Sequence, residues 1–96
     1  MKIPELGVGI TYSADLEELI IANTNLFPVI EVEPQTLWAE TRNAAEPFRV
    51  FDSVFEKLAA LPGKKLVHSV GAPVGGTVPP DKKQFSLLRK TIDILK

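Results

Sequence analysis

The sequence predicts an α/β fold of three βα units with parallel strands, and three observations carry that expectation. Short β-prone runs alternate with stretches whose apolar residues recur at helical spacing, in the order β-α-β-α-β-α. Each intervening helix returns the chain to the same end of the sheet, which makes neighbouring strands parallel with right-handed crossovers. Ninety-six residues hold one domain at most, and three strands with open edges are the start of a barrel rather than a closed one. The expected fold is therefore a single partial (βα)3 domain over residues 1–96, an incomplete barrel segment.

The elements follow in order. Residues 6–11 (LGVGIT) form the first β-prone run. Ser13 stands as an N-cap, and Asp15, Glu17 and Glu18 put negative charge in the first turn, where the helix dipole favours it. Leu16, Leu19 and Ile20 share one face of that helix. Residues 29–33 (VIEVE) form the second strand, closed by Pro34, which cannot donate to a ladder. Residues 35–46 read as irregular. Pro47 then opens a second helix with Phe48, Phe51, Val54, Phe55 and Leu58 on one stripe, stopped near Pro62 and Gly63. The third strand is residues 66–70 (LVHSV). Pro79, Pro80 and Asp81 start a third helix carrying Phe85, Leu88, Ile92 and Leu95.

Composition excludes several classes of function. With 45% hydrophobic and 24% charged residues and a net charge of −1, the chain has no field to attract nucleic acid or an anionic membrane. No cysteine is present, so disulfides, thiolate metal sites and a cysteine nucleophile are excluded. The first ten residues hold no apolar signal core, and no run approaches the ~18 apolar residues of a membrane span. The chain reads as soluble and cytoplasmic.

Parallel strands gather their carboxyl ends. That end collects Thr11 and Tyr12 from the first strand, Glu31 and Glu33 from the second, and His68 with Ser69 from the third. Glu31 and Glu33 lie two apart and so face one side of their strand. Two carboxylates on one strand face call for a cation beside them. His68, the only histidine, is one such partner and a candidate metal ligand; Lys64, Lys65 or Arg42 could instead pair with the carboxylates in a rim ion pair. The glycine loop at 71–76 lacks a phosphate-binding pattern and reads as a tight turn. Trp38 reads as a residue covering the second helix, with a lid over the site as the alternative.

Three stretches, GVGITYS, VIEVEP and LVHSVGAPVGG, resemble the opening third of the multinuclear non-haem iron-dependent oxidases, a family with a xylose-isomerase-like TIM barrel. His68 matches a histidine that ligates metal in the family, and Val70, Gly71 and Gly75 match the residues that follow it. Glu31 matches a motif-opening glutamate. Glu33 stands where the family usually has histidine, and Gln35 where it usually has a second acidic residue. The resemblance implies a metal site of His68, Glu33 and Glu31, iron as the cofactor, a peptide substrate and a separate partner protein that recognises it. Replacing imidazole by Glu33 shifts the site toward oxygen-ligated cations. The family's further ligands lie on later strands, so the chain is expected to be inactive by itself. Two other readings stand beside this one. The wider xylose-isomerase-type barrels include sugar-phosphate isomerases and endonucleases. A non-catalytic association module would complete its sheet by homo-oligomerisation or with a partner chain.

Overall fold

The computed structural model describes residues 2–70, 76 and 81–96. Eight elements of regular structure follow one another: β1 (Gly9–Thr11), α1 (Glu17–Ala22), β2 (Val29–Val32), β3 (Ala39–Glu40), β4 (Phe48–Arg49), α2 (Asp52–Ala60), β5 (Lys64–Val67) and α3 (Lys82–Leu95). Three of the strands make a parallel sheet in the order β1-β2-β5, and β3 and β4 make a separate antiparallel pair. The expected α/β class, with three helices and a parallel sheet, is therefore what the chain adopts.

Strand β2 is central, and its alternation divides the molecule. Ile30 and Val32 are buried in one core with Ile20 of α1, Phe55 and Leu58 of α2 and Leu95 of α3. All three helices thus contribute to the face toward which Ile30 and Val32 point. Side chains alternate along a strand, so Glu31 belongs to the opposite face. Its register partners there are Thr11 of β1 and Leu66 of β5, and Leu66 is about half exposed.

Two glycines make the strand packing feasible. Gly9 pairs with Val29, and a Cβ on Gly9 would collide with the Val29 carbonyl oxygen, so β1 can approach β2 this closely only without a side chain. Gly63 turns the chain from α2 into β5 at φ +99°, with Phe27 O 3.0 Å from where a Cβ would stand. Lys65 closes the same corner. Its ammonium donates to the carbonyls of Leu61 at 2.5 Å and Gly63 at 2.7 Å, neutralising the end of α2.

Several local expectations need correction. The first strand is shorter than residues 6–11, beginning at Gly9. Ser13 precedes a short 3-10 turn, Ala14–Leu16, and its hydroxyl makes no capping bond; α1 proper begins at Glu17. The second strand ends at Val32, and the third covers Lys64–Val67 rather than residues 66–70. A hairpin starts in the segment read as irregular, with β3, and ends with β4 in the stretch read as the start of the second helix, which takes Phe48 out of that helix and delays α2 to Asp52. Turn chemistry explains this. The Thr41 amide donates to Pro47 O at 2.9 Å, the Thr41 hydroxyl accepts from the Asn43 amide and donates to the Glu46 carbonyl, and Asn43 Oδ1 accepts from the Ala45 amide.

Helix faces shift in the same way. Leu19, Phe51 and Phe85 are about half exposed, although all three fall on apolar stripes of the sequence. On α3 the inward row is Leu87, Leu88, Thr91 and Leu95, with Thr91 fully buried. Trp38 sets that rotation, because its indole Nε1 donates to Thr91 Oγ1 at 3.3 Å and Thr91 in turn donates to Leu87 O at 3.0 Å. Trp38 also meets Phe48 with ring centroids 5.8 Å apart and planes tilted by 52°. It is a core residue, not a lid. Asp81 keeps its expected place at the start of α3, accepting from the Lys83 amide at 2.9 Å. Pro79, Pro80 and most of the glycine loop lie outside the described residues.

These packing differences separate residues that the sequence places on one stripe. Phe55→Ala empties a fully buried site and is expected to cost about 3–5 kcal/mol, whereas Phe51→Ala, at an exposed position, is expected to stay near ~0.5 kcal/mol. Denaturant unfolding of the two variants measures both.

Candidate metal centre

The site begins with β2. Its alternation presents Glu31 on the face away from the helices, and the chain places Glu33 on the same side one step past the strand's end. Pro34 then starts a 3-10 turn, Pro34–Leu37, whose Thr36 amide and hydroxyl both bond to Glu33 O, at 3.1 and 2.7 Å. Glu33 is thus fixed where strand becomes turn. Next door, β5 ends at Val67, and the parallel ladder continues one bond further, from the His68 amide to Val32 O at 2.9 Å. That bond sets His68 beside the two glutamates.

The three expected site residues therefore meet. His68 Nδ1 lies 3.1 Å from Glu31 Oε1 and 3.6 Å from Glu33 Oε1, and one donor atom from each residue falls within 4.8 Å of the others. A carboxylate only accepts, so the hydrogen bond to Glu31 is donated by Nδ1–H. The side chains are 56% exposed for His68, 32% for Glu31 and 30% for Glu33, which leaves the group open on one side. Thr11 completes the row across three strands by donating to Glu31 Oε1 at 3.5 Å.

The rim ion pair is not formed. Among the described residues no lysine or arginine makes an ion pair with Glu31 or Glu33. Lys65 is paired in register with Ile30, on the helix side of β2, and spends its ammonium on the Leu61 and Gly63 carbonyls; desolvation there pulls its pKa below the usual lysine range.

Two further residues at this end serve other purposes. Gln35 bridges two chain segments. Its Nε2 donates to Ser69 Oγ at 2.7 Å and its Oε1 accepts from the Val70 amide at 3.3 Å, so it ties the turn after β2 to the chain after β5 and holds His68 between them. Ser69 is committed to that tie. Tyr12 turns aside to donate to Glu17 Oε2 at 3.0 Å, and Glu17 also pairs with Lys57 Nζ at 2.5 Å. The sequence placed Tyr12 at the site end and matched Gln35 to the site only through the family resemblance, in both cases without their partners, because neither spacing nor residue type announces a bond across 34 positions or into the following helix. The residues matched at Gly71 and Gly75 lie outside the described residues.

Donor chemistry fits a divalent cation. Two carboxylates and one imidazole suit hard to borderline ions such as Fe(II), Mn(II) or Zn(II), and a cation would relieve the repulsion between Glu31 and Glu33. A cavity of about 510 Å³ adjoins the group, bordered by Glu33, Thr11 and Tyr12. No family model, curated protein sequence or solved structure is significantly similar to the chain.

Tyr12 offers a check on this geometry. Burial first, and then the bond to the Glu17 carboxylate and its charge, push its pKa up from 10.0 to about 12. Conversely the Lys57 ammonium first, then the Tyr12 hydroxyl, hold Glu17 below its usual value. The folded state therefore keeps the phenolic proton longer than the unfolded chain. This stabilisation is full below about pH 10 and is lost as pH rises through about 12. Ultraviolet titration is expected to show phenolate forming near pH 12, moving down toward 10 in Glu17→Gln.

Proposed function

We propose that the chain is the amino-terminal segment of an iron-dependent, oxidase-like TIM barrel of the xylose-isomerase-like kind that acts on peptide substrates, with Glu31, Glu33 and His68 holding the metal. One observation supports this above the others. Three donor groups from adjacent parallel strands converge within 4.8 Å at the carboxyl end of the sheet, the end where α/β proteins place their sites. The helices joining the core on one side of β2 agree with a barrel wall, whose other face points inward.

A bound iron supplies reaction with dioxygen; the protein's own residues do the positioning. Glu31 and Glu33 contribute two negative oxygens, and His68 contributes Nδ1, the nitrogen already facing them. Thr11 orients Glu31 by donating to it, the Thr36 amide and hydroxyl brace the backbone of Glu33, and Gln35 holds the His68 strand end. With three ligands from this chain, a divalent ion keeps positions for further ligands or substrate.

A second reading rests on its own observation. β1 and β5 are the outer strands of the sheet among the described residues, and Leu66 is half exposed on the face opposite the helices. Outer strands pair readily with another chain. On this reading the unit works by association, completing its sheet with a second copy or a partner protein.

Metal content of protein purified without chelators, read with its mass in solution, separates the two. The metal reading expects close to one divalent ion per chain, and an affinity loss of at least about 100-fold in His68→Ala, since even residues that only support ligands are worth 10–100-fold. Metal-free protein that self-assembles, with His68→Ala unchanged, contradicts it and supports association.

A further inference from the structure

The two outer helices of the layer carry opposite charge. Residues 13–26, which hold α1, have three acidic side chains and no basic one, whereas residues 82–96, which hold α3, have five basic and one acidic. The net charge of −1 conceals this separation.

Ion pairs fix how the helices are turned. Glu17 of α1 pairs with Lys57 of α2, and Asp52 of α2 pairs with Lys90 of α3, so α2 lies between the other two. Successive residues of a helix turn by about 100°. Leu19, two positions past Glu17, therefore lies on the flank of α1 that faces away from α2. On α3, Phe85 and Ile92 share the flank opposite Lys90, again facing away from α2. Leu19 and Phe85 are about half exposed and stand outside the core cluster. Asp15 and Glu18 precede Leu19 by four positions and one; Lys82 precedes Phe85 by three, and Arg89 follows it by four. All four charged residues are exposed, and none of them makes an ion pair among the described residues.

The helix layer thus ends in two apolar flanks rimmed by opposite charge, and the sheet gives them a direction. β1 and β5 form opposite edges of a parallel sheet. A copy set down beyond β5 in the same orientation brings its β1 edge to β5 and its α1 to α3.

We propose that the α3 flank docks on the α1 flank of a second copy of this chain, with Phe85 and Ile92 against Leu19, and Lys82 and Arg89 facing Asp15 and Glu18 of the neighbour. A second copy fits because every chain carries the complementary flank at the complementary edge. Burial of the apolar residues supplies affinity, while the exposed charges, individually weak, decide which flank meets which. A flank meeting its own kind would set like charges together. The contact is therefore heterologous, and its repetition gives a ring or a filament. This inference rests on the association reading and deepens it by naming the partner and the order of docking. It leaves Glu31, Glu33 and His68, on the other face of the sheet, open.

The test is the mass of the full chain by light scattering over a concentration series, with chelator present so that metal cannot bridge copies. Two reversed-charge variants at exposed positions, Glu18→Arg and Arg89→Glu, are compared with the unaltered chain. The unaltered chain is expected to associate, less so as salt is raised. Each variant alone is expected to associate about tenfold more weakly, and an equimolar mixture to regain association, because each variant then meets a flank of opposite charge. Association unchanged in both variants overturns this interface and leaves the association reading standing. An unaltered chain that stays monomeric overturns the second copy as partner under either reading, and binding of that monomer to phosphatidylglycerol vesicles would assign the α3 flank to an anionic lipid surface instead. The salt response is read on the unaltered protein, so association strengthened by salt overturns the proposal even if a variant does not fold.

Discussion

Everything in this chain depends on strand β2 being hydrogen-bonded on both edges while its two faces meet different surroundings. A strand in that position cannot rotate or slip without moving Ile30 and Val32 out of the core, and a one-residue slip would bury Glu31 in their place. Burial of two aliphatic side chains thereby specifies where a carboxylate goes. The hydrophobic effect holds the strand, and the period of the backbone delivers the chemistry to the far side.

The electrostatics follow from that division. Lys65 is the nearest lysine in register to Ile30, but it belongs to the helix side and is absorbed by the carbonyls that end α2. Glu17, Lys57 and Tyr12 likewise close a circuit among the helices and the first turn. With those charges spent elsewhere, Glu31 and Glu33 are left facing His68 and the open side of the sheet. That local excess of negative charge makes the group suited to a cation.

The parallel sheet, the three helices and the meeting of Glu31, Glu33 and His68 were legible in the sequence because each rests on a pattern spanning several residues. VIEVE announces both its buried and its polar face, and the apolar run before His68 announces a strand end. The hairpin of β3 and β4 was not legible, since two-residue strands have no period and Pro47 imitates a helix start. Nor was the inward face of α3. Its row passes through Thr91, a polar residue buried because Trp38 supplies its hydrogen-bond partner from 53 positions away, and Phe85, the more apolar residue, is left at the surface. Gln35 illustrates the same limit at the site, where its role exists only once the ends of β2 and β5 lie side by side.

The central claim is that the register of β2 and β5 makes Glu31, Glu33 and His68 one metal-binding group. Nitrogen NMR of the labelled His68 imidazole during a Zn(II) titration tests it most directly. The account predicts that Nδ1, which faces both carboxylates, loses its proton and takes on a metal-bound shift that is complete at one equivalent, and that Glu33→Gln weakens the effect. An imidazole spectrum unchanged by zinc, or coordination through Nε2 that is indifferent to Glu33, would contradict it.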